Sequence, residues 1–236
     1  MAANNEIGTI ADIERIGKIA HENNVMFHTD AAQAVGHIPI DVEKMNIDLM
    51  SMSSHKIYGP KGIGALYIRS MKPRVKPEPI IFGGGQERNI RPGTLNVPGI
   101  VGFGKALEIA SKQMSSENEM FQEWTTKMLQ AFQEAGGKLN GHPAKRLVHN
   151  LNVFFRGIES KAVINSISKK VAISAGSACT TQTVEPSHVL LALGFDEERA
   201  HSSIRIGVGR FNTTEEIDFA TSEIISVVEN ITKIKV

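Results

Sequence analysis

Ser53-Ser54-His55-Lys56-Ile57-Tyr58-Gly59-Pro60-Lys61-Gly62 puts a histidine and a lysine at the end of a short apolar run and follows them with a glycine-rich turn. A lysine so placed can form a Schiff base with a carbonyl cofactor. For any single lysine an exposed loop position is the commoner reading, but this one has company. Val25-Met26-Phe27-His28-Thr29-Asp30 is another apolar run that ends in a carboxylate. A pyridoxal 5'-phosphate (PLP) site needs a Schiff-base lysine and a carboxylate facing the pyridine nitrogen. Lys56 and Asp30 supply both, each at the C-terminal end of an expected strand.

Working outward, the first hundred residues alternate helix and strand signals. Residues 10–23 carry Ile10, Ile13, Ile16, Gly17 and Ala20 on one helical face. Residues 25–29, 49–53 and 65–69 read as strands, 42–45 as one turn of helix at best, and the proline-rich 71–79 as a connector. Helix-strand alternation with candidate ligands at strand ends predicts an α/β sheet. Residues 83–85 and 91–94 mark irregular backbone, and 97–136 read as two long helical segments leading out of a first domain. Beyond them, 147–155, 171–174 and 204–208 read as strands, and 161–168 and 214–233 as helices, the last capped by Thr213 or Thr214. This half reads as a separate α+β layer, with domains at 1–113 and 114–236.

Composition narrows the function. The chain has 236 residues, 41% apolar, 22% charged, with a net charge of +1, which is ordinary for a globular protein and gives no argument for nucleic acid or a membrane surface. No apolar run is long enough to span a bilayer, and the first residues show neither a secretory nor an arginine-rich leader pattern. One cysteine excludes an internal disulfide and fits a reducing compartment. The eight histidines lack zinc-site spacing, so no metal site is expected. That cysteine lies in Ser174-Ala175-Gly176-Ser177-Ala178-Cys179-Thr180-Thr181. A lone Cys is usually a small buried hydrophobe, but this segment is too small and polar for a core and instead suits a reactive thiol. In His201-Ser202-Ser203-Ile204-Arg205-Ile206, Arg205 offers a planar fork for a carboxylate, with a surface ion pair as the plainer alternative. Asn5, Gln33, Ser53 and Thr94 are weaker candidates, since polar residues at turns are mostly structural.

Taken together, these residues make the chain resemble the IscS/NifS-type cysteine desulfurases, PLP enzymes of the aminotransferase class V group. The matching segments are Asn4-Asn5-Glu6-Ile7-Gly8, His28-Thr29-Asp30-Ala31-Ala32-Gln33, the Ser53–Gly62 stretch, Gly83-Gly84-Gly85-Gln86-Glu87-Arg88, Gly176-Ser177-Ala178-Cys179 and His201-Ser202-Ser203-Ile204-Arg205. They run in family order across nearly the whole chain, and the Asp30 and Gln86 segments look closer to mitochondrial and related bacterial members. The resemblance implies the PLP-dependent transferase fold type I, with 1–113 the C-terminal portion of the PLP-binding domain and 114–236 a small domain carrying the cysteine. It implies that Lys56 binds PLP, that Asp30 keeps the ring nitrogen protonated, and that Asn5 and Gln33 contact the ring substituents. Ser53, Ser54 and His55 would lie at the phosphate, with His55 also a catalytic group, and Thr94 would reach the cofactor of a second subunit in a homodimer. Asn5 and Arg205 would hold the substrate L-cysteine. Cys179 would take its sulfur as a persulfide, release alanine, pass the sulfur to an iron-sulfur scaffold or tRNA-thiolation acceptor, and could act as a transient iron-sulfur ligand. The implied location is cytoplasmic in a bacterium and mitochondrial, or in a related organelle, in a eukaryote.

The chain also departs from the family pattern. Members carry about 150 further residues before the Asn4-Asn5 segment, including the phosphate-cupping glycine loop and the side chain that stacks on the ring. They also carry a C-terminal tail that meets the scaffold protein. Ser54 stands where Gly is usual, and Pro92 where Ser is usual. These departures define an alternative, an inactive desulfurase-like subunit that pairs with a full-length enzyme. A selenocysteine lyase or an aminotransferase is a further alternative, and Cys179 argues against the aminotransferase.

Overall fold

Asp12 starts the first helix. In the computed structural model, which describes residues 1–176 and 186–234, its side chain accepts the Arg15 N–H at 3.1 Å and caps α1 (Ile13–Glu22). The helix starts later than its periodicity predicts because the Ile10 N–H pairs with the Lys145 carbonyl instead. Gly17 is required on α1, since a β-carbon there would stand 2.1 Å from the Met45 carbonyl oxygen.

Two units make up the chain, one of Met1–Ala3 with Ala11–Met114 and one of Asn4–Ile10 with Ser115–Val236. The first is built on β1 (His28–Asp30), β2 (Leu49–Ser53) and β3 (Gly64–Ile68), in that spatial order. β1 and β2 are parallel, with Asp30 opposite Ser51, and β3 returns antiparallel. β1 is shorter than expected because the chain before it serves a buried ion cluster. Asp48 is fully buried; its Oδ2 accepts the Phe27 N–H at 2.8 Å and lies 2.9 Å from His21 Nε2. Arg69 Nε is 3.2 Å from Asp48 Oδ1, yet its hydrogen goes to the Ile47 carbonyl, while Nη1 pairs with Glu43 and Nη2 with the Val42 carbonyl. The 42–46 turn is thereby fixed by charge and peptide carbonyls rather than by apolar contact. Ile57 packs with Phe103, Ala106 and Ala110 in a small core. The last three belong to α2 (Val97–Glu134), one continuous helix where two segments were expected, with residues to Met114 in the first unit and from Ser115 in the second.

The second unit holds an antiparallel sheet in the order β4 (Lys138–Leu139), β5 (Asn150–Phe154), β6 (Ser203–Gly207). Every residue of β5 is buried. Phe121, Trp124, Met128 and Phe132 of α2 share its core with Val153, with Ile204, with Val163 of α3 (Ser160–Ile167) and with Ile224 of α6 (Thr214–Ile234). Thr213 caps α6 in a reciprocal box: its hydroxyl accepts the Glu216 N–H at 3.3 Å and Glu216 Oε2 accepts the Thr213 N–H at 3.2 Å. The expected strand at 171–174 reduces to an isolated bridge between Ser174 and Arg205. Two short helices, α4 (His188–Ala192) and α5 (Glu197–His201), are capped by Ser187 and Asp196. At five residues each they are too short to show a helical period. Among the described residues no helix is long and apolar enough to cross a membrane, and no group of His, Cys, Asp or Glu could hold a metal ion.

Candidate active site

In the first unit the parallel pairing of β1 and β2 brings their C-terminal ends side by side. Asp30 is the last residue of β1, half-buried, and its Oδ1 accepts the Ala32 N–H at 2.8 Å. That bond fixes the carboxylate, and Oδ2 has no protein partner among the described residues. Gln33 lies three residues on, half-buried in the following turn. β2 ends at Ser53 and passes into a 3-10 turn, Ser54–Ile57. Ser53 Oγ is 2.9 Å from His55 Nδ1, so hydroxyl and imidazole form one polar pair on the exposed side of that turn. Lys56 is exposed, and its ammonium has no hydrogen bond or ion pair among the described residues.

Tyr58 closes the turn in the left-handed region at φ 65°, and Gly59 follows. A β-carbon on Gly59 would stand 2.2 Å from Ser54 Oγ, so the glycine is dictated by close packing. Ser54 itself is fully buried, its N–H bonded to the Ile63 carbonyl at 3.2 Å and its hydroxyl without a partner among the described residues. Its backbone is not left-handed, so a side chain here carries no strain. Thr94 is exposed on irregular chain before α2. A uncommitted primary amine, a half-buried carboxylate with one oxygen unused, and an imidazole–hydroxyl pair form a donor set that fits PLP.

In the second unit Asn5 and Arg205 meet. Arg205 Nη1 donates to the Asn5 carbonyl at 3.0 Å and Nε donates to Ser174 Oγ at 3.1 Å, which aims the guanidinium. Asn4 builds the turn that presents Asn5, its Oδ1 accepting the N–H groups of Glu6 and Ile7 at 2.9 and 3.0 Å. Gly8 completes that turn at φ 74°. The turn rests on buried amides. Asn150 Nδ2 and Asn152 Nδ2 both donate to the Glu6 carbonyl, at 3.3 and 3.2 Å. Asn140 bridges Asn152 Oδ1 and Ser203 Oγ, at 2.7 and 2.8 Å. Arg146 spans the carbonyls of Asn140 and Asn150, at 3.3 and 2.7 Å. Burial pushes its guanidinium down to about 10, which still leaves it charged at neutral pH. Sequence reasoning missed this support because asparagines within a strand-like run carry no signal of burial. The one available cue was the Asn4-Asn5-Glu6 turn next to a glycine. Cys179 lies outside the described residues.

The chain is 51% identical over 233 residues to the mitochondrial cysteine desulfurase of Arabidopsis thaliana, covering 98% of this chain and 51% of the relative. It is 50% identical over 238 residues to the cysteine desulfurase IscS of Rickettsia typhi, covering 99% and 57%. The solved structure of a NifS-like protein matches with a TM-score of 0.87 at 36% identity, covering 97% of this chain and 60% of that one. The chain thus spans about half the length of the curated relatives it matches. Its architecture is the α/β fold type I of PLP-dependent transferases. With residues 1–219 matching aminotransferase class-V, the chain belongs to that family.

Proposed function

We propose that this chain supplies the lysine and cysteine of a PLP-dependent cysteine desulfurase that converts L-cysteine to L-alanine and leaves a persulfide on Cys179. The observation that carries the reading is the pairing of β1 and β2. It sets Asp30 beside the turn that holds Ser53, His55 and Lys56, in a chain about half identical to relatives named cysteine desulfurase. PLP, when bound, supplies a sink for the electrons released at the substrate. Lys56 anchors it through its uncommitted amine, Asp30 holds a proton at the ring nitrogen, and Gln33 and Asn5 orient the ring substituents. Ser53 and His55 serve its phosphate, and the His55 imidazole can carry a proton. Ser54, enclosed beneath Gly59, shapes the turn. Arg205, aimed by Ser174 and Asn5, receives the substrate carboxylate. Cys179 attacks as a thiolate: the Cys179 Sγ–S bond forms, the substrate Cβ–S bond breaks, and Cβ gains a proton. No external oxidant is needed.

Further parts of this reading are a homodimer in which Thr94 reaches the partner's cofactor, and an iron-sulfur scaffold or other sulfur-accepting protein as receiver, with Cys179 as a transient iron-sulfur ligand. The assignment of 1–113 to the large PLP-binding domain and of 114–236 to the small domain belongs here too, as does a location that is cytoplasmic in a bacterium and mitochondrial, or in a related organelle, in a eukaryote. The test is a visible absorption spectrum of the chain mixed with PLP, compared with Lys56→Ala. A Lys56-dependent band that L-cysteine perturbs, with alanine released, is the expected result. A band indifferent to Lys56→Ala overturns the assignment of the anchoring amine.

A further inference from the structure

His37 is a buried imidazole, 8% exposed, that the chemistry above does not use. It ends a compact turn that starts at Asp30. The chain leaves β1 with the Ala31 N–H on the Ser51 carbonyl of β2, at 2.9 Å. The Ala31 carbonyl then accepts the N–H groups of Ala34 and Val35, and the Ala34 carbonyl those of His37 and Ile38, at 2.9 to 3.0 Å. Ala31 and Ala34 are fully enclosed. Asp30, Gln33 and His37 are therefore carried on one locally closed piece of backbone.

The far end of that piece meets the turn that holds Lys56. Within Ser54–Ile57 the Ser54 carbonyl is the internal acceptor, taking the N–H groups of Tyr58 and Gly59. A helical turn this short leaves its later carbonyls without an internal partner. The Lys56 carbonyl finds one in His37, whose Nε2 lies 3.4 Å away. A carbonyl can only accept, so Nε2 carries the hydrogen and the imidazole is the donor. The bond is long, but the burial of His37 keeps water from competing for it. Packing adds a second restraint. Gly36 sits at φ 78°, and a β-carbon there would stand 2.8 Å from Ile57 Cγ2 and 3.1 Å from Ala110 Cβ. Ile57 is thus pressed against the residue next to the one that holds the Lys56 carbonyl.

We propose that His37 is a positioning residue for Lys56: by holding the Lys56 carbonyl to the turn that begins at Asp30, it fixes the separation between carboxylate and amine. This role deepens the desulfurase reading and rests on its assignment of Lys56 and Asp30 to PLP. The cofactor ring is rigid, so its nitrogen and its aldehyde carbon lie a fixed distance apart. Two groups that meet those two ends need a matching separation. The Lys56 side chain cannot set it, because it is exposed on a flexible stem with no hydrogen bond or ion pair among the described residues. The restraint acts on the backbone instead, and a misplacement of about 1 Å can cost about a hundredfold in rate.

Borohydride trapping of PLP on the intact chain, with each lysine read by peptide mass spectrometry, measures this without turnover. In the parent, Lys56 should be trapped at least about tenfold faster than the exposed Lys61. His37→Phe keeps a ring but no donor, and should slow trapping at Lys56 by about tenfold or more with Lys61 unchanged. His37→Gln carries an amide N–H at the reach of Nε2 and should restore Lys56 to within about threefold of the parent. Parent-like trapping in His37→Phe overturns the positioning role and leaves the anchoring lysine in place. A loss in His37→Gln equal to that in His37→Phe makes the effect one of ring packing and also overturns it. Amide exchange in β2 is read alongside: slowed trapping that comes only with lost protection in β2 makes His37 a stability residue and overturns the role. If the parent traps Lys56 no faster than Lys61, the assignment of Lys56 to PLP fails and the role falls with it. That outcome is seen in the parent, before any variant, and so is distinct from a failure of His37 alone.

Discussion

The two units solve the same problem of burial by different means. In the second, every residue of β5 is buried, and aromatic and aliphatic side chains from α2, α3, α6 and β6 close over it as one apolar core. In the first, β3 leaves its first three residues exposed, and the apolar core around Ile57 is small. Ile80 and Phe82 are 91% and 85% exposed there, while the most enclosed contacts include the Asp48–Arg69–His21 ion cluster. A core of dispersion contacts is cooperative and sensitive to lost volume. An ion cluster is sensitive to the loss of either partner. Of the groups proposed to hold the cofactor, His55, Lys56 and Thr94 are exposed on the first unit, so substitutions at these three should alter chemistry more than stability.

That contrast can be broken at its strongest point. Phe132 is completely buried in the second core, with its ring 6.0 Å from that of Phe155. Phe132→Ala should cost about 3–5 kcal/mol, read as lost hydrogen-exchange protection in β5 and β6. Leu66→Ala on the exposed face of β3 should cost under about 1 kcal/mol. Equal loss of protection in β2 and β5 after Phe132→Ala would mean that the units unfold as one, and the comparison would fail. The counterpart in the first unit is Asp48→Ala. It leaves Arg69 buried beside an emptied site, strips the Phe27 N–H of its acceptor and frees His21. We expect a cost of about 3 kcal/mol, confined to the amides of α1, β1 and β2 in the same exchange experiment. A cost below about 1 kcal/mol would show that the ion cluster is not what secures this unit.

The two units also differed in how much of them could be read from sequence. The turn around Lys56 was legible because its logic is local: an apolar strand, a polar pair, a lysine and a glycine packed against Ser54. The α/β alternation was legible for the same reason, with helix periods and strand runs lying in contiguous residues. What escaped was long-range. Asn140, Asn150 and Asn152 form a buried amide layer only because β4, β5 and the Asn4–Ile7 turn come together across more than a hundred residues. β1 was overestimated because Phe27 is diverted to Asp48, a partner no periodicity reveals. The strand expected at 171–174 failed because an apolar run needs a neighbour along its whole length, and here only Ser174 finds one, in Arg205.

The smallest expected effect tests whether the second unit is as dominated by its core as its burial suggests. Thr213 and Glu216 cap α6 reciprocally, and Trp124 Nε1 donates to Thr214 Oγ1 at 3.1 Å beside them. A cap of this kind contributes about 1 kcal/mol when it is the main restraint on a helix end. On α6 the buried Ile217, Ile224 and Val228 already fix the helix against the core. Thr213→Ala should therefore cost about 0.5–1 kcal/mol in a urea titration, with lost exchange protection limited to the first turn of α6. Protection in β5 should be unchanged, because the core and not the cap sets the free energy of global opening. Loss of protection along the whole of α6 would reverse that order, making the cap the element that keeps the helix on its sheet.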